Sequence, residues 1–220
     1  GTGHGFATPA YPNGKGDRDL VDLFLAPNKY TADKIRGVRS TPVEVIGTPK
    51  LDWVITQHEK IHPWRNDPPV VCISFHHGTK RRNPPEAGSA FEHYQDCIST
   101  LKTQFNLVAH GHPLTRERDI SFYRSVGVPF IHDFVDVMKS ADIYVNDLSS
   151  TLYEFSSTGK PVVVMNAPWF RKNVQHGLRF WDYSDIGIHV NEPEQLPRAI
   201  ETSLVSHPMH VEQRKAVQDL

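Results

Sequence analysis

Thirteen of the 220 residues are histidine, the side chain whose charge changes nearest neutral pH. They cluster with other hydrogen-bonding groups. His76-His77-Gly78-Thr79-Lys80-Arg81, His110-Gly111-His112-Pro113, His132-Asp133 and Asp147-Leu148-Ser149-Ser150-Thr151 each follow a short apolar run. Imidazoles and hydroxyls beside a helix start suit an anion such as a phosphate, which needs donors and a positive helix dipole. The segment Ala141 to Glu154 fits that description best, because an apolar run passes through Ser149 and Ser150 directly into a helical pattern. Ser149 and Ser150 are read as anion ligands, since one capping residue would suffice. Thr151-x-x-Glu154 fits either a capping box or a ligand contact by Glu154. His112 is placed to donate to a diphosphate; the alternatives are a metal pair on His110 and His112 with His76 or His77, and a solvated loop. Lys80-Arg81-Arg82 is either a solvated face or a phosphate contact. Gly1-Thr2-Gly3-His4-Gly5 matches neither the P-loop nor the dinucleotide fingerprint. A glycine-flanked His4 has the access a general base requires, with a flexible terminus as the plainer reading.

The elements that must position these groups can be read from periodicity. Apolar runs at 70–75, 105–109, 128–131, 141–145 and 161–165 read as strands, separated by helical patterns at 91–103, 116–126, 135–140 and 151–158, the last stopped by Gly159. Strands alternating with helices predict right-handed crossovers and a parallel sheet covered on both faces. Near-continuous apolar runs agree with strands buried on both sides. In such a sheet ligands bind beyond the carboxyl ends of the strands, where the clusters fall. Upstream, strands at 20–26 and 43–46 flank a helix over 29–36, one step too few for an independent domain. The expected organisation is a remnant of an N-terminal α/β domain over 1–49, a connecting helix and proline-rich linker over 50–68, a Rossmann-like domain over 69–203, and a helical tail over 204–220.

Composition removes several classes of function. The 24 Lys and Arg balance 25 Asp and Glu, so a net charge of −1 offers no field for nucleic acid. Two cysteines cannot build a disulfide framework and fit a reducing compartment. No apolar stretch approaches the roughly 20 residues of a membrane span. The expectation is a cytoplasmic protein, at most peripheral to a membrane.

Taken together, these segments resemble the CDP-glycerol glycerophosphotransferases of wall teichoic acid synthesis, within the broader GT-B and UDP-N-acetylglucosamine 2-epimerase group. His4-Gly5 stands where that family has a His-Gly motif, and Gly47-Thr48-Pro49-Lys50-Leu51-Asp52 is similar to its Gly-Tyr-Pro-Arg-x-Asp motif. His110-Gly111-His112-Pro113 partly matches Lys-x-His-Pro, with His110 in place of the lysine. Ala141, Asp142, Asp147, Ser149, Ser150 and Glu154 match Ala-Asp-x-x-x-x-Asp-x-Ser-Ser with its following acid, and Lys160-Pro161 the next strand's start.

The resemblance implies a GT-B C-terminal Rossmann-like domain preceded by the last strands of a truncated N-terminal domain. It implies His4 as catalytic base, His112, Ser149 and Ser150 on the nucleotide diphosphate, and Glu154 on the ribose. With them His76, His77, Lys80, Asp147 and Thr151 complete the expected nucleotide site. The expected partners are a CDP- or UDP-linked donor, a polyol or saccharide acceptor, and a partner chain supplying the missing domain; no further cofactor or metal is implied. The expected reaction is metal-independent transfer to an acceptor hydroxyl. The alternatives are a UDP-sugar 2-epimerase or hydrolase and a non-catalytic half of a split enzyme. His76-His77-Gly78-Thr79 departs from the Pro-Thr-[Trp or Phe]-Arg type sequence usual in the transferases.

Overall fold

The computed structural model describes residues 21–37, 40–52, 56, 67–77, 89–114, 116–147, 149–169 and 186–205. The expected connecting helix and linker lie mostly outside them, as do residues 206–220. Two separate parallel sheets form.

The first is a pair, β1 (Phe24–Ala26) and β2 (Val43–Val45), joined through α1 (Lys29–Arg36) in the predicted order. Asn28 starts α1 by accepting the Thr31 N–H on its side chain at 2.8 Å. Ala32 and Ile35 face inward on α1 and pack with Phe24, Ala26 and Val43 into a small core. Arg36 ties the helix end to β2 through a 2.6 Å bond from Nη2 to the Val43 carbonyl.

The second sheet has the order β4-β3-β5-β6-β7, every neighbour parallel, built from β3 (Val70–Phe75), β4 (Asn106–Gly111), β5 (Ile143–Asn146), β6 (Val162–Met165) and β7 (Ile188–Val190). This is the parallel α/β sheet expected of a Rossmann-like domain. Its central strands are buried on both faces: Val71, Ile73, Ile143, Val145 and Val163 pack into one core, Cys72, Tyr144, Val162 and Val164 into the other. Each fully buried Val or Ile contributes about 2 kcal/mol relative to exposure.

Helices fill the crossovers: α2 (Phe91–Tyr94), continued through a 3-10 turn at Gln95–Cys97 into α3 (Ile98–Gln104), then α4 (Arg116–Ser125), α5 (Phe134–Ser140), α6 (Thr151–Ser156) and α7 (Leu196–Val205). The single helix expected over 91–103 is thus interrupted, although Tyr94, Ile98 and Leu101 still share the buried face the periodicity predicted.

Two strand expectations change. Residues 128–131 form no strand but one isolated bridge, from Phe130 to Ala109 of β4. The Ala109 N–H donates to the Pro129 carbonyl and the Ile131 N–H to the Ala109 carbonyl, both at 2.8 Å, and no further pairing follows. In contrast β7, absent from the sequence reading, closes the other edge against β6.

Much of the signature segment holds the fold together. Asp142 Oδ2 accepts the Val70 N–H at 2.7 Å, fastening the start of β3 to β5. Lys160 is buried, and its ammonium donates to the Met138 and Ala141 carbonyls at 2.9 and 2.8 Å, capping α5. Gly159, at φ 81°, supplies the left-handed turn after α6 that a side chain would strain.

Candidate functional site

β3 connects toward β4 on one side, whereas β5 leads to β6 on the other. The strand order therefore reverses between β3 and β5, and in open α/β sheets the crevice at such a point receives the ligand. A cavity of about 330 Å³ opens there. Its walls are His76 after β3, His110 and His112 at the end of β4, His132 and Asp133 before α5, and Ser149 and Thr151 after β5.

Its floor comes from strand residues. Ser74, Tyr144 and Asn146 are each at most 3% exposed, yet all three line the cavity. Asn146 Nδ2 donates to the Ser74 carbonyl at 3.1 Å and to the Tyr144 hydroxyl at 3.3 Å. Tyr144 and Thr151 hydroxyls meet at 3.0 Å. Burial holds the Tyr144 phenol well above its usual pKa, so the network stays protonated and neutral. Phe134 packs against Tyr144 and His110, giving one wall an apolar, aromatic surface.

The histidines form two groups. His110 lies inside β4, not after it, and its Nδ1 is 2.9 Å from the Ile131 carbonyl. His76, His77 and His112 form a row, with ring centroids 4.1 Å apart for the first pair and 4.2 Å for the second. His77 is the middle ring of the row and is not among the residues lining the cavity. Its Nδ1 is buried with no hydrogen-bond partner, and burial lowers its pKa. The His112 backbone follows Gly111, where an added Cβ would lie 2.5 Å from Asp119 Oδ2. Asp119 itself accepts from Arg118 Nε and Nη2 at 2.9 and 2.7 Å.

Several expected site residues take other places. Asp147 is fully buried and outside the cavity wall. Its Oδ1 accepts the His76 N–H at 2.7 Å, and its Oδ2 accepts the Ala90 N–H at 2.7 Å and the Ser89 hydroxyl at 3.2 Å. It therefore positions His76 and the start of α2, and presents no oxygen to the cavity. Glu154 is also buried, with Oε1 accepting from Ser150 Oγ at 3.4 Å. The capping box expected at Thr151-x-x-Glu154 is absent because Ser150, one residue earlier, is the cap. Ser150 itself does not line the cavity. His4 and Lys80 lie outside the described residues.

The backbone N–H groups at the α6 start are largely engaged. Thr151 N–H donates to Ser149 Oγ at 3.2 Å, Leu152 N–H to the Ser149 carbonyl at 3.2 Å and Tyr153 N–H to the Ser150 carbonyl at 3.1 Å. The donor side chains lining the cavity are thus chiefly imidazoles and hydroxyls, the Asn146 amide being bonded to Ser74 and Tyr144. Among the described residues no group of three or more His, Cys, Asp or Glu is placed to hold a metal ion, so the His110–His112 metal pair does not form there. Nor, among them, is any helix long and apolar enough to cross a membrane.

No protein-family model and no curated relative matches the sequence. Solved structures do match. The wall teichoic acid polymerase TagF aligns at 14% identity with a TM-score of 0.63, covering 99% of this chain and 62% of the polymerase. MnaA of S. aureus, solved with UDP, aligns at 17% identity and a TM-score of 0.53 over 90% of this chain and 56% of that one. The UDP-GlcNAc 2-epimerase of Methanocaldococcus jannaschii, in complex with UDP-GlcNAc and UDP, aligns at 13% identity and 0.53 over 90% and 60%. The chain therefore spans about three fifths of the length of these enzymes. At such identities the likeness establishes the fold, a Rossmann-like parallel-sheet domain of the GT-B kind.

Proposed function

We propose that the cavity binds the diphosphate of a nucleotide-activated donor, and that the chain works as a GT-B-type transferase acting on an acceptor hydroxyl. The observation that carries this reading is the convergence of His76, His112, Ser149 and Thr151 on one cavity at the strand-order reversal. The neutral floor of Ser74, Asn146 and Tyr144 offers hydrogen bonds to the donor's uncharged parts. Donors fixed before the reaction stabilise charge building on the departing nucleotide without reorganising. In this proposal His4 deprotonates the acceptor. With CDP-glycerol the hydroxyl oxygen bonds to the glycerol-bearing phosphorus, and CMP leaves with the electrons of the broken P–O bond. With a sugar nucleotide the bond forms at the anomeric carbon and the nucleoside diphosphate leaves. The TagF structure soaked with CDPG supports the former donor; UDP in the MnaA and epimerase complexes supports uridine.

Calorimetric titration with CDP, UDP, GDP and ADP tests the site. Cytidine or uridine diphosphate should bind, and Ser149→Ala should weaken binding about three- to tenfold through loss of one hydrogen bond. Equal affinity in both proteins, or none in either, removes the donor-site reading.

An epimerase would need acids facing the cleft for proton transfer at the sugar. Asp133 is the one acid among the described lining residues, and its Oδ1 already accepts the Val135 N–H at 2.8 Å. A second reading has a specific observation in its favour. Leu23, Val45 and Ile46, around the two-stranded sheet, are 40–46% exposed. Their exposure supports a nucleotide-binding half completed by a partner chain. Turnover of a labelled donor by the purified chain alone would exclude this second reading.

A further inference from the structure

Among the described residues that line the cavity there is no lysine or arginine; the side chains able to become cationic are His76, His110, His112 and His132. Among these lining residues a diphosphate would therefore meet positive charge where an imidazole has taken a proton. Two of these rings belong to the His76–His77–His112 row. With centroids about 4 Å apart, like charges on neighbouring rings oppose one another. The middle ring is the poorest place for a charge, since its Nδ1 is buried and unpartnered. An arriving anion reverses that balance at the two outer rings, which face the cavity.

Among the described residues the surrounding elements supply few other charges. From β5 come the neutral Tyr144, Asn146, Ser149 and Thr151, with Asp147 beneath holding the His76 N–H. From the α5 start come His132 and Asp133, the latter bonded to Val135 N–H. From α4 comes the Arg118–Asp119 ion pair below Gly111, its guanidinium also 5.3 Å from the Phe91 ring centre. Among the described lining residues the imidazoles, His76 and His112 foremost, are thus the basic groups whose charge can change when a ligand enters.

We propose that the His76–His77–His112 row takes up a proton from solvent when a diphosphate donor binds, so that affinity for the donor rises as pH falls. The proton forms an N–H bond on an imidazole nitrogen of His76 or His112, the acid form of the buffer gives it up and becomes its conjugate base, and no bond of the donor breaks. This inference rests on the cavity being the diphosphate site. The sign follows from linkage: an anion raises the imidazole pKa, so the complex holds more protons than the free protein and binding tightens toward acid.

The test is calorimetry with CDP-glycerol and UDP-N-acetylglucosamine, diphosphate diesters whose phosphates stay ionised near neutrality, so any proton taken up belongs to the protein. Titrations at about pH 6, 7 and 8, in buffers of different ionisation enthalpy, should show affinity rising up to about tenfold per unit fall in pH for one proton. Apparent enthalpies should differ between buffers in proportion to that uptake. The His76→Gln/His112→Gln double variant should lose the pH slope and bind at pH 6 no better than at pH 8. Donor binding that is independent of pH overturns the proton linkage, and a slope that survives in the double variant overturns its assignment to this row; either leaves the diphosphate site standing. Binding of neither donor at any pH overturns the site reading as well.

Discussion

A β-carbon at Gly111 would lie 2.5 Å from Asp119 Oδ2, so the backbone entering His112 runs against a buried carboxylate that is itself held by Arg118. Gly111→Ala must push either the loop or the ion pair aside. We expect about 1–3 kcal/mol of lost stability by urea denaturation, as overpacking typically costs. Weakened nucleotide binding should accompany it, because His112 moves with the loop.

Asp147 is the anchor for His76 rather than a ligand. Asp147→Ala leaves the buried Ala90 N–H and the His76 N–H without their acceptor. A loss of about 3 kcal/mol or more is expected, since hydrogen bonds to a buried charged group are each worth about 1.5–3 kcal/mol. Asp147→Asn, which keeps one acceptor oxygen, should lose less. Equal denaturation midpoints for wild type and Asp147→Ala would refute the anchoring role.

Lys160 carries a pH signature. Burial lowers its pKa from 10.5 to about 8, against the opposing pull of Asp142. Between those values the unfolded chain holds more of the proton than the folded one. The residue's contribution to stability therefore increases as pH rises from about 8 toward 10.5, and is constant and least favourable below about 8. Denaturation of wild type and Lys160→Met at pH about 7.5 and about 10 should show the difference moving in favour of wild type by about 2–3 kcal/mol.

The Tyr144 hydroxyl touches both Thr151 and Asn146. Tyr144→Phe should cost about 1–2 kcal/mol, the penalty for leaving buried partners unmatched. If the floor contacts the donor, affinity should fall alongside stability; unchanged affinity would place the donor against the histidine wall only.

The parallel sheet was legible because β3, β5 and β6 are apolar on both faces, which leaves continuous runs such as Val70 to Phe75. β7 was not legible: Ile188-His189-Val190 has three residues at a sheet edge and only Val190 fully buried, too short for any period to emerge. Phe130 misled in the opposite direction, since an apolar run at an edge can be satisfied by one bridge. That His76, His112, Ser149 and Thr151 share one end of the sheet was legible because each follows a parallel strand, and they line one cavity there. Ser74, Tyr144 and Asn146 were not legible, because inside a strand they look like core positions until the crevice above them is known. Asp147 and Glu154 read as ligands because sequence shows an acid after a strand but not which way it turns; both turn inward.

β5 grips β3 at both ends, through Asp142 on the Val70 N–H and Asp147 on the His76 N–H. Two such staples flanking the ladder prevent the central strands from sliding past each other by a residue. Any adjustment of the cavity is then left to the peripheral turns at 112–114 and 132–133, over a foundation that does not shear.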